Sequence, residues 1–199
     1  MAVKGVVKEL RSHNVWNSFC VRSLNESGFK SLILSSELSG DEIQELVHKN
    51  HDRNIDLEMI VNGNLEVIVS KDDFTNLNDG KDFIISNDAD YAILEDKKRK
   101  KFKYKIFFDY NRQSHIINKD CLCLIEEMNE IKELGLDSLI LDCRYSNEQY
   151  TSQILSIYNE SLNGKNQDEL TKYKYQIMDF SQSYINKGNY IEGRLHENS

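Results

Sequence analysis

The sequence predicts an α/β protein: a parallel sheet built by alternating strands and helices, interrupted by a block of antiparallel strands. Three observations carry this. Short apolar runs at 31–35, 57–61 and 138–143 lack the polar alternation of a half-exposed strand, so they are expected to be covered on both faces. Amphipathic, cap-flanked stretches lie between such runs at the short spacing of β/α units. Residues 71–118, by contrast, alternate partly between aromatic or branched residues and lysines, with polar turns between the runs, the pattern of half-exposed antiparallel strands.

The elements follow in order. Residues 3–10 are rich in β-branched side chains and predict a first strand. Residues 16–27 have helical spacing and end at Gly28, a C-cap. After strand 31–35, Ser39 caps a helix and Glu42 completes a capping box, placing Ile43, Leu46 and Val47 on one face. Strand 57–61 closes at Asn62-Gly63. Residues 83–85, 91–94 and 102–108 are the strands of an inserted hairpin region, about 71–118, and the basic run at 97–101 reads as its solvated tip, with an RNA contact as the alternative. Residues 121–134 predict one amphipathic helix with a stripe of Leu124, Ile125, Met128, Ile131 and Leu134, ended by Gly135. Strand 138–143 is followed by a helix at 147–162, stopped at Asn163-Gly164, and a longer one at 167–185. No repeat, no low-complexity linker and no proline occurs, so residues 1–199 read as a single domain.

Composition narrows the function classes. With 39% hydrophobic and 29% charged residues the chain is too apolar for a disordered protein. No stretch reaches the roughly 18–20 apolar residues that span a bilayer, and the N-terminus lacks the apolar core of a secretory signal, so the expectation is a cytoplasmic protein without a membrane partner. A net charge of −8 argues against nucleic acid as a partner, because phosphate binding needs a basic face. The four cysteines, Cys20, Cys121, Cys123 and Cys143, form no CxxC and read as small buried apolar residues. No Gly-rich phosphate loop, HExxH or GxSxG is present.

Seven segments in order carry a resemblance to the U32 (collagenase-like) peptidase family, matching the C-terminal part of its domain. Asn14-Val15-Trp16-Asn17-Ser18 resembles the family's N-x-[FW]-N-S, and Leu34-Ser35-Ser36-Glu37-Leu38-Ser39 its LSPEL(S/T). Glu58-Met59-Ile60-Val61-Asn62-Gly63, continued by Ile68-Val69-Ser70, is similar to the signature strand E-x-x-V-x-G ending in M-x-S. Tyr91, Leu94, Asp96, Lys98 and Phe102 resemble YxLxDxKxxxF. Arg112, His115, Ile116 and Asn118 resemble CRxHIxN without its cysteine and with one residue more between arginine and histidine, and Leu122-Cys123-Leu124-Ile125 continues the match into the predicted helix. Leu141-Asp142-Cys143-Arg144 resembles the IDxR strand end, and residues 186–193 the terminal TKGHYxxG.

The resemblance implies a (β/α)₈ barrel of TIM type, of which this chain holds about four parallel strands, a partial or half barrel. The remaining strands are expected from a homodimer, from a complex with a chain supplying the N-terminal barrel half, or from the rest of a longer chain. The family's cysteines, in S-x-Y-C and at the start of C-R-x-H-I, are replaced by Asp73 and Asn111, so no metal and no cofactor is expected. The implied function is a peptidase-like hydrolase acting on a peptide or protein substrate, with its metal-binding cysteines missing. The alternatives are a non-catalytic half-barrel subunit or pseudoenzyme, or an accessory protein of RNA or quinone hydroxylation.

In a barrel the functional groups stand at the C-terminal strand ends. Strand alternation puts Glu58 on the face of Ile60 and Asn62, and Asp142 on that of Arg144. Glu58, Asp142 and Arg144 are then expected to form a charged cluster that binds a polar substrate or activates water, or else a structural ion-pair network. His115 is the acid–base candidate, with a hydrogen-bonded structural role as its alternative. Asn62, Gly63, Arg112 and Asn118 complete the set as substrate-binding candidates.

Overall fold

The computed structural model describes residues 14–52, 54–72, 74, 83–87, 91–96, 103–181 and 183–191. The strand expected at 3–10, the basic run at 97–101 and Asp73 lie outside the described residues. The chain divides into two compact units, one of residues 1–63, 122–182 and 186–199, the other of 64–121 and 183–185.

The first unit starts from its caps. Helix α1, Ser18–Glu26, begins at Asn17, whose Oδ1 accepts the Phe19 and Cys20 amides at 3.0 Å. Gly28, at φ +90°, ends the helical path where an L side chain would be strained. Strand β1, Ser31–Ile33, follows. Helix α2, Gly40–Lys49, carries the expected capping box: the Ser39 hydroxyl accepts from the Glu42 amide and the Glu42 carboxylate from the Ser39 amide. Its Ile43, Leu46 and Val47 are all buried. Strand β2, Asp56–Gly63, lies between two parallel neighbours, β1 (Leu32 opposite Leu57) and β9, Ser138–Asp142 (Met59 opposite Leu139). A carboxylate oxygen of Asp137 accepts the Leu57 amide at 2.8 Å and fixes where β9 begins along β2. Val15 forms a parallel bridge to Leu34 on the far side of β1. Consecutive neighbouring parallel strands are what β/α units produce.

Strand β8, Cys121–Cys123, pairs antiparallel with the end of β2, Asn62 opposite Cys123, and β10, Ile185–Asn186, pairs with β8. Helices α3, Met128–Glu133, α4, Glu148–Ser161, and α5, Gln167–Phe180, complete the unit, the last two capped by Asn147 and Asn166. The second unit is an antiparallel sheet of β3 (Glu66–Ser70), β4 (Phe83–Asn87), β5 (Ala92–Asp96), β6 (Lys103–Phe108) and β7 (Ser114–Asn118). Its strand order is β3-β7-β6-β5-β4, so a meander is joined by β3 at one edge. Ala92, Ile106 and Ile116 form its buried core, with Phe74, Leu94, Tyr104 and Phe108 packed against them.

The described residues therefore form a mixed α/β protein with two sheets and five helices, and the parallel strands do not close into a barrel. Two expected helices are shorter than the sequence implied. Residues 121–134 are not one helix but β8, a 3₁₀ turn at Ile125–Glu127, and α3. Cys123 is thus a strand residue. All five members of the apolar stripe are buried nevertheless. The apolar pattern marked burial correctly, but the backbone groups at its start are taken by strand partners: Cys121 donates to the Tyr184 carbonyl at 2.7 Å and Leu124 to that of Val61 at 3.0 Å. The helix expected to reach residue 185 stops at Phe180 and, at 14 residues, equals α4 rather than exceeding it. Ser181 turns extended, and the chain enters β10.

Candidate functional site

Two groups of polar side chains lie at strand ends, one in each unit. In the first, β2 and β9 run in register as far as Gly63 opposite Asp142. Gly63 has φ +140°, and a Cβ placed on it would stand 2.5 Å from the Asp142 carbonyl oxygen, so the strands approach there only because the residue is glycine. Asp142 is buried, its side chain 2% exposed, and forms a two-pronged pair with Arg144: Oδ1 accepts from Nε at 2.9 Å and Oδ2 from Nη2 at 2.8 Å. The Arg144 backbone amide also points at Oδ1, at 3.2 Å. The guanidinium lies 5.5 Å from the centre of the Tyr145 ring. Beside this pair Asn62 is fully buried; its Nδ2 donates to the Tyr150 hydroxyl at 3.1 Å, while its Oδ1 accepts no hydrogen bond among the described residues. The Tyr158 hydroxyl donates to the Val61 carbonyl at 2.9 Å and faces Cys123 Sγ at 3.8 Å. Burial pushes the Cys123 thiol pKa up, which keeps it protonated and a poor metal ligand.

Glu58 sits earlier along β2 than this group. It is buried and stands opposite Ser138, four residues before Asp142 on β9, which at about 3.3 Å per residue separates the backbone positions by roughly 13 Å along the strand. A bulge between Ile60 and Asn62 also interrupts the alternation that put Glu58 and Asn62 on one face. Of the three residues expected to cluster, Asp142 and Arg144 are joined by hydrogen bonds at the end of β9, and Glu58 lies earlier along β2.

The second unit holds His115, on β7 between β3 and β6. Its Nδ1 meets Glu66 Oε2 at 2.8 Å, and its buried Nε2 faces Asp109 Oδ2 at 3.7 Å with no hydrogen-bond partner among the described residues. The other oxygen of Asp109 ties the β6–β7 turn, accepting the Asn111 and Gln113 amides at 2.9 and 2.8 Å. Arg112 occupies that turn at φ +61° and donates its amide to the Asp109 carbonyl. Asn118 closes the far end of β7, its amide on the Leu65 carbonyl and its own carbonyl accepting from Asn64. Both side chains facing His115 are carboxylates rather than a hydroxyl or thiol, so no nucleophile is activated there among the described residues. Sequence reasoning missed Glu66 and Asp109, which only strand pairing and the hairpin turn bring to His115.

The residues do not fit a thiolate-held metal. Asn111, in a cysteine slot of the resemblance, is an exposed turn residue, and Asp73 lies outside the described residues. No three His, Cys, Asp or Glu side chains converge as a metal site among the described residues. The terminal segment Lys187–Tyr190 is structural: Lys187 bridges Glu126 and Glu127, and the Tyr190 hydroxyl donates to Glu130 at 2.7 Å while its carbonyl accepts from the Gly40 amide.

No helix among the described residues is long and apolar enough to cross a membrane. Over 79 residues the chain is 33% identical to tRNA hydroxylation protein P2 of Bacillus subtilis (strain 168), an overlap covering 39% of this chain and 25% of that protein. The match thus spans about a quarter of the curated relative's length. No solved structure matches. The model of peptidase family U32 matches residues 11–198, nearly the whole chain, and the protein belongs to that family.

Proposed function

We propose that this chain is a non-catalytic partner subunit of a U32-type assembly that acts in tRNA hydroxylation, rather than a peptidase in its own right. The observation that carries the reading is the state of Asp142. Both its oxygens accept from Arg144, so its lone pairs are held by a fixed cation rather than directed at a water. Glu58 is displaced four register positions from it, and His115 is flanked by carboxylates. The kinship with a protein named for tRNA hydroxylation supports the direction of the role. The net charge of −8 supports a division of labour in which the partner, not this chain, grips the RNA. In this reading the chain is one U32-type domain with the antiparallel unit inserted, and its parallel strands are a barrel segment completed by the partner. Arg144, partly exposed at the strand end, would then face that partner or its substrate. Any hydroxylation chemistry belongs to the partner, since the donor set here does not fit a thiolate-held cluster.

The test removes the gene and measures hydroxylated nucleosides in total tRNA by mass spectrometry, alongside gelatin and casein cleavage by the purified protein. The expected result is a fall in hydroxylated nucleosides, restored by the wild-type chain, and no proteolysis. Unchanged tRNA together with proteolysis abolished by Asp142→Asn would establish the peptidase reading instead.

A further inference from the structure

We propose that β3 is a self-association edge, pairing antiparallel with β3 of a second copy of this chain about a two-fold axis at Ile68. The inference is independent of the role in tRNA hydroxylation. In the strand order β3-β7-β6-β5-β4, β3 is terminal, and no other described strand pairs with its outer side. Its three central residues are apolar and open on both faces of the strand: Val67 is 48% exposed, Ile68 54% and Val69 50%. Other large exposed apolar residues, such as Phe19, Tyr110 and Tyr175, are single in the chain, whereas these three are consecutive.

An open, apolar edge is a template for another strand unless lysine, proline or an inward charge blunts it. Glu66–Ser70 contains no lysine and no proline. Its one acid is already engaged, Glu66 lying 2.8 Å from His115 Nδ1. A bulge between Glu66 and Ile68 is a device that discourages edge pairing, but it leaves the side chains of Val67, Ile68 and Val69 uncovered.

The second copy is favoured over an unrelated strand because the segment is its own complement. Read in either direction about Ile68, the order is valine, isoleucine, valine. A two-fold there sets Ile68 against Ile68, Val67 against Val69, and Glu66 against Ser70, with no like charges directly opposed. β-branched pairs facing across an antiparallel ladder are among the stabilising combinations. Five residues a side bury less than the ~1,200 Å² of stable interfaces, so the association is expected at chain concentrations of about 10–100 μM.

The experiment is symmetry-specific cross-linking. In a Cys20→Ser/Cys143→Ser background, which removes the two partly exposed thiols, Ile68→Cys places two thiols opposite each other at the axis. Opposed Cβ atoms come within about 4.5–5.5 Å, close to disulfide range. Mild oxidation is expected to give covalent dimer from Ile68→Cys at about ten times the yield of Val67→Cys or Val69→Cys alone, while mixing the latter two restores cross-linking. Sedimentation equilibrium should show the wild type as a concentration-dependent dimer and Ile68→Lys as a monomer with an unchanged circular dichroism spectrum and melting temperature. A wild type that stays monomeric at 100 μM, the outcome expected if the edge serves a different protein, overturns the proposal. So does a dimer that survives Ile68→Lys while Ile68→Cys fails to cross-link, since another surface would then hold it.

Discussion

Gly63 and Asp142 face each other across the β2–β9 ladder with no room for a side chain between them: a Cβ on Gly63 would lie 2.5 Å from the Asp142 carbonyl oxygen and 2.6 Å from its Cβ. The glycine lets β9 end against β2, and the end of β9 aims the Asp142 carboxylate at Arg144. Gly63→Ala must either part the strands or strain a φ of +140°. It is expected to cost about 3 kcal/mol or more, read as a fall in the urea midpoint.

Removing one member of the Asp142–Arg144 pair strands the other. Asp142 is the more buried, so Arg144→Leu leaves a carboxylate without its cation and is expected to destabilise by about 2–4 kcal/mol, the lower part of the range reflecting the partly exposed arginine. The double variant Asp142→Asn/Arg144→Leu should recover at least 1 kcal/mol of this, roughly, in a double-mutant cycle. Additive losses would show that the pair is not the coupling that holds the strand end.

The acidic surface of the 3₁₀ turn predicts a pH dependence. Burial raises the Glu126 pKa, but hydrogen bonds and charge from Lys174 and Lys187 outweigh it, and the net shift is downward. A depressed carboxylate contributes stability above its unfolded value, near 4.3, that is lost as pH falls through the folded value. Urea midpoints measured from pH 6 to pH 3 should therefore fall less steeply for Glu126→Gln than for the wild type. Equal slopes would place the acid sensitivity elsewhere.

At the alkaline end Tyr190 acts with the opposite sign. Burial first, and then its bond to Glu130, raise its pKa well above the ordinary tyrosine range. The stability this gives is complete below the unfolded pKa, near 10, and is lost as pH rises beyond it. Absorbance titration at 295 nm is expected to gain tyrosinate when the protein is unfolded in urea, and Tyr190→Phe to gain one fewer than the wild type.

Thiol chemistry separates the cysteines. Cys121 and Cys123 are buried, Cys20 and Cys143 partly exposed, and burial holds the Cys123 thiol protonated. A thiol reagent at neutral pH should label Cys20 and Cys143 in the folded protein and reach the other two only in denaturant. With Asn111 in a cysteine slot, the purified protein is also expected to carry no stoichiometric iron or zinc. Elemental analysis showing about one metal per chain would reverse that reading.

Local signals were written plainly in the sequence. Ser39 caps its helix where expected, and Gly28, Gly135 and Gly164 take positive φ at the ends of helices or just beyond them. Each depends on groups within a few residues, so a short window holds the information. The apolar stripe at 124–134 identified which residues are buried, because burial follows composition and spacing whichever backbone carries them.

Tertiary structure decided what depends on partners far along the chain. Cys121–Cys123 is a strand because β2 and β10 supply its ladder partners, and no helical pattern in those residues reveals them. Glu58 and Asp142 separate because the β2–β9 register sets Glu58 against Ser138, a match fixed by pairing between segments about 80 residues apart. His115 meets Glu66 and Asp109 only once β3 lies beside β7 and the β6–β7 turn closes. The sequence by itself determined the Ser39 cap, the glycine helix ends, the burial of the 124–134 stripe and the family, since these rest on residue type and near-neighbour spacing. The apolar run of β9, expected to be covered on both faces, is only partly buried. Which polar groups meet was left to strand register, where a shift of a few residues moves a carboxylate by about 3.3 Å at each step while leaving composition and periodicity unchanged.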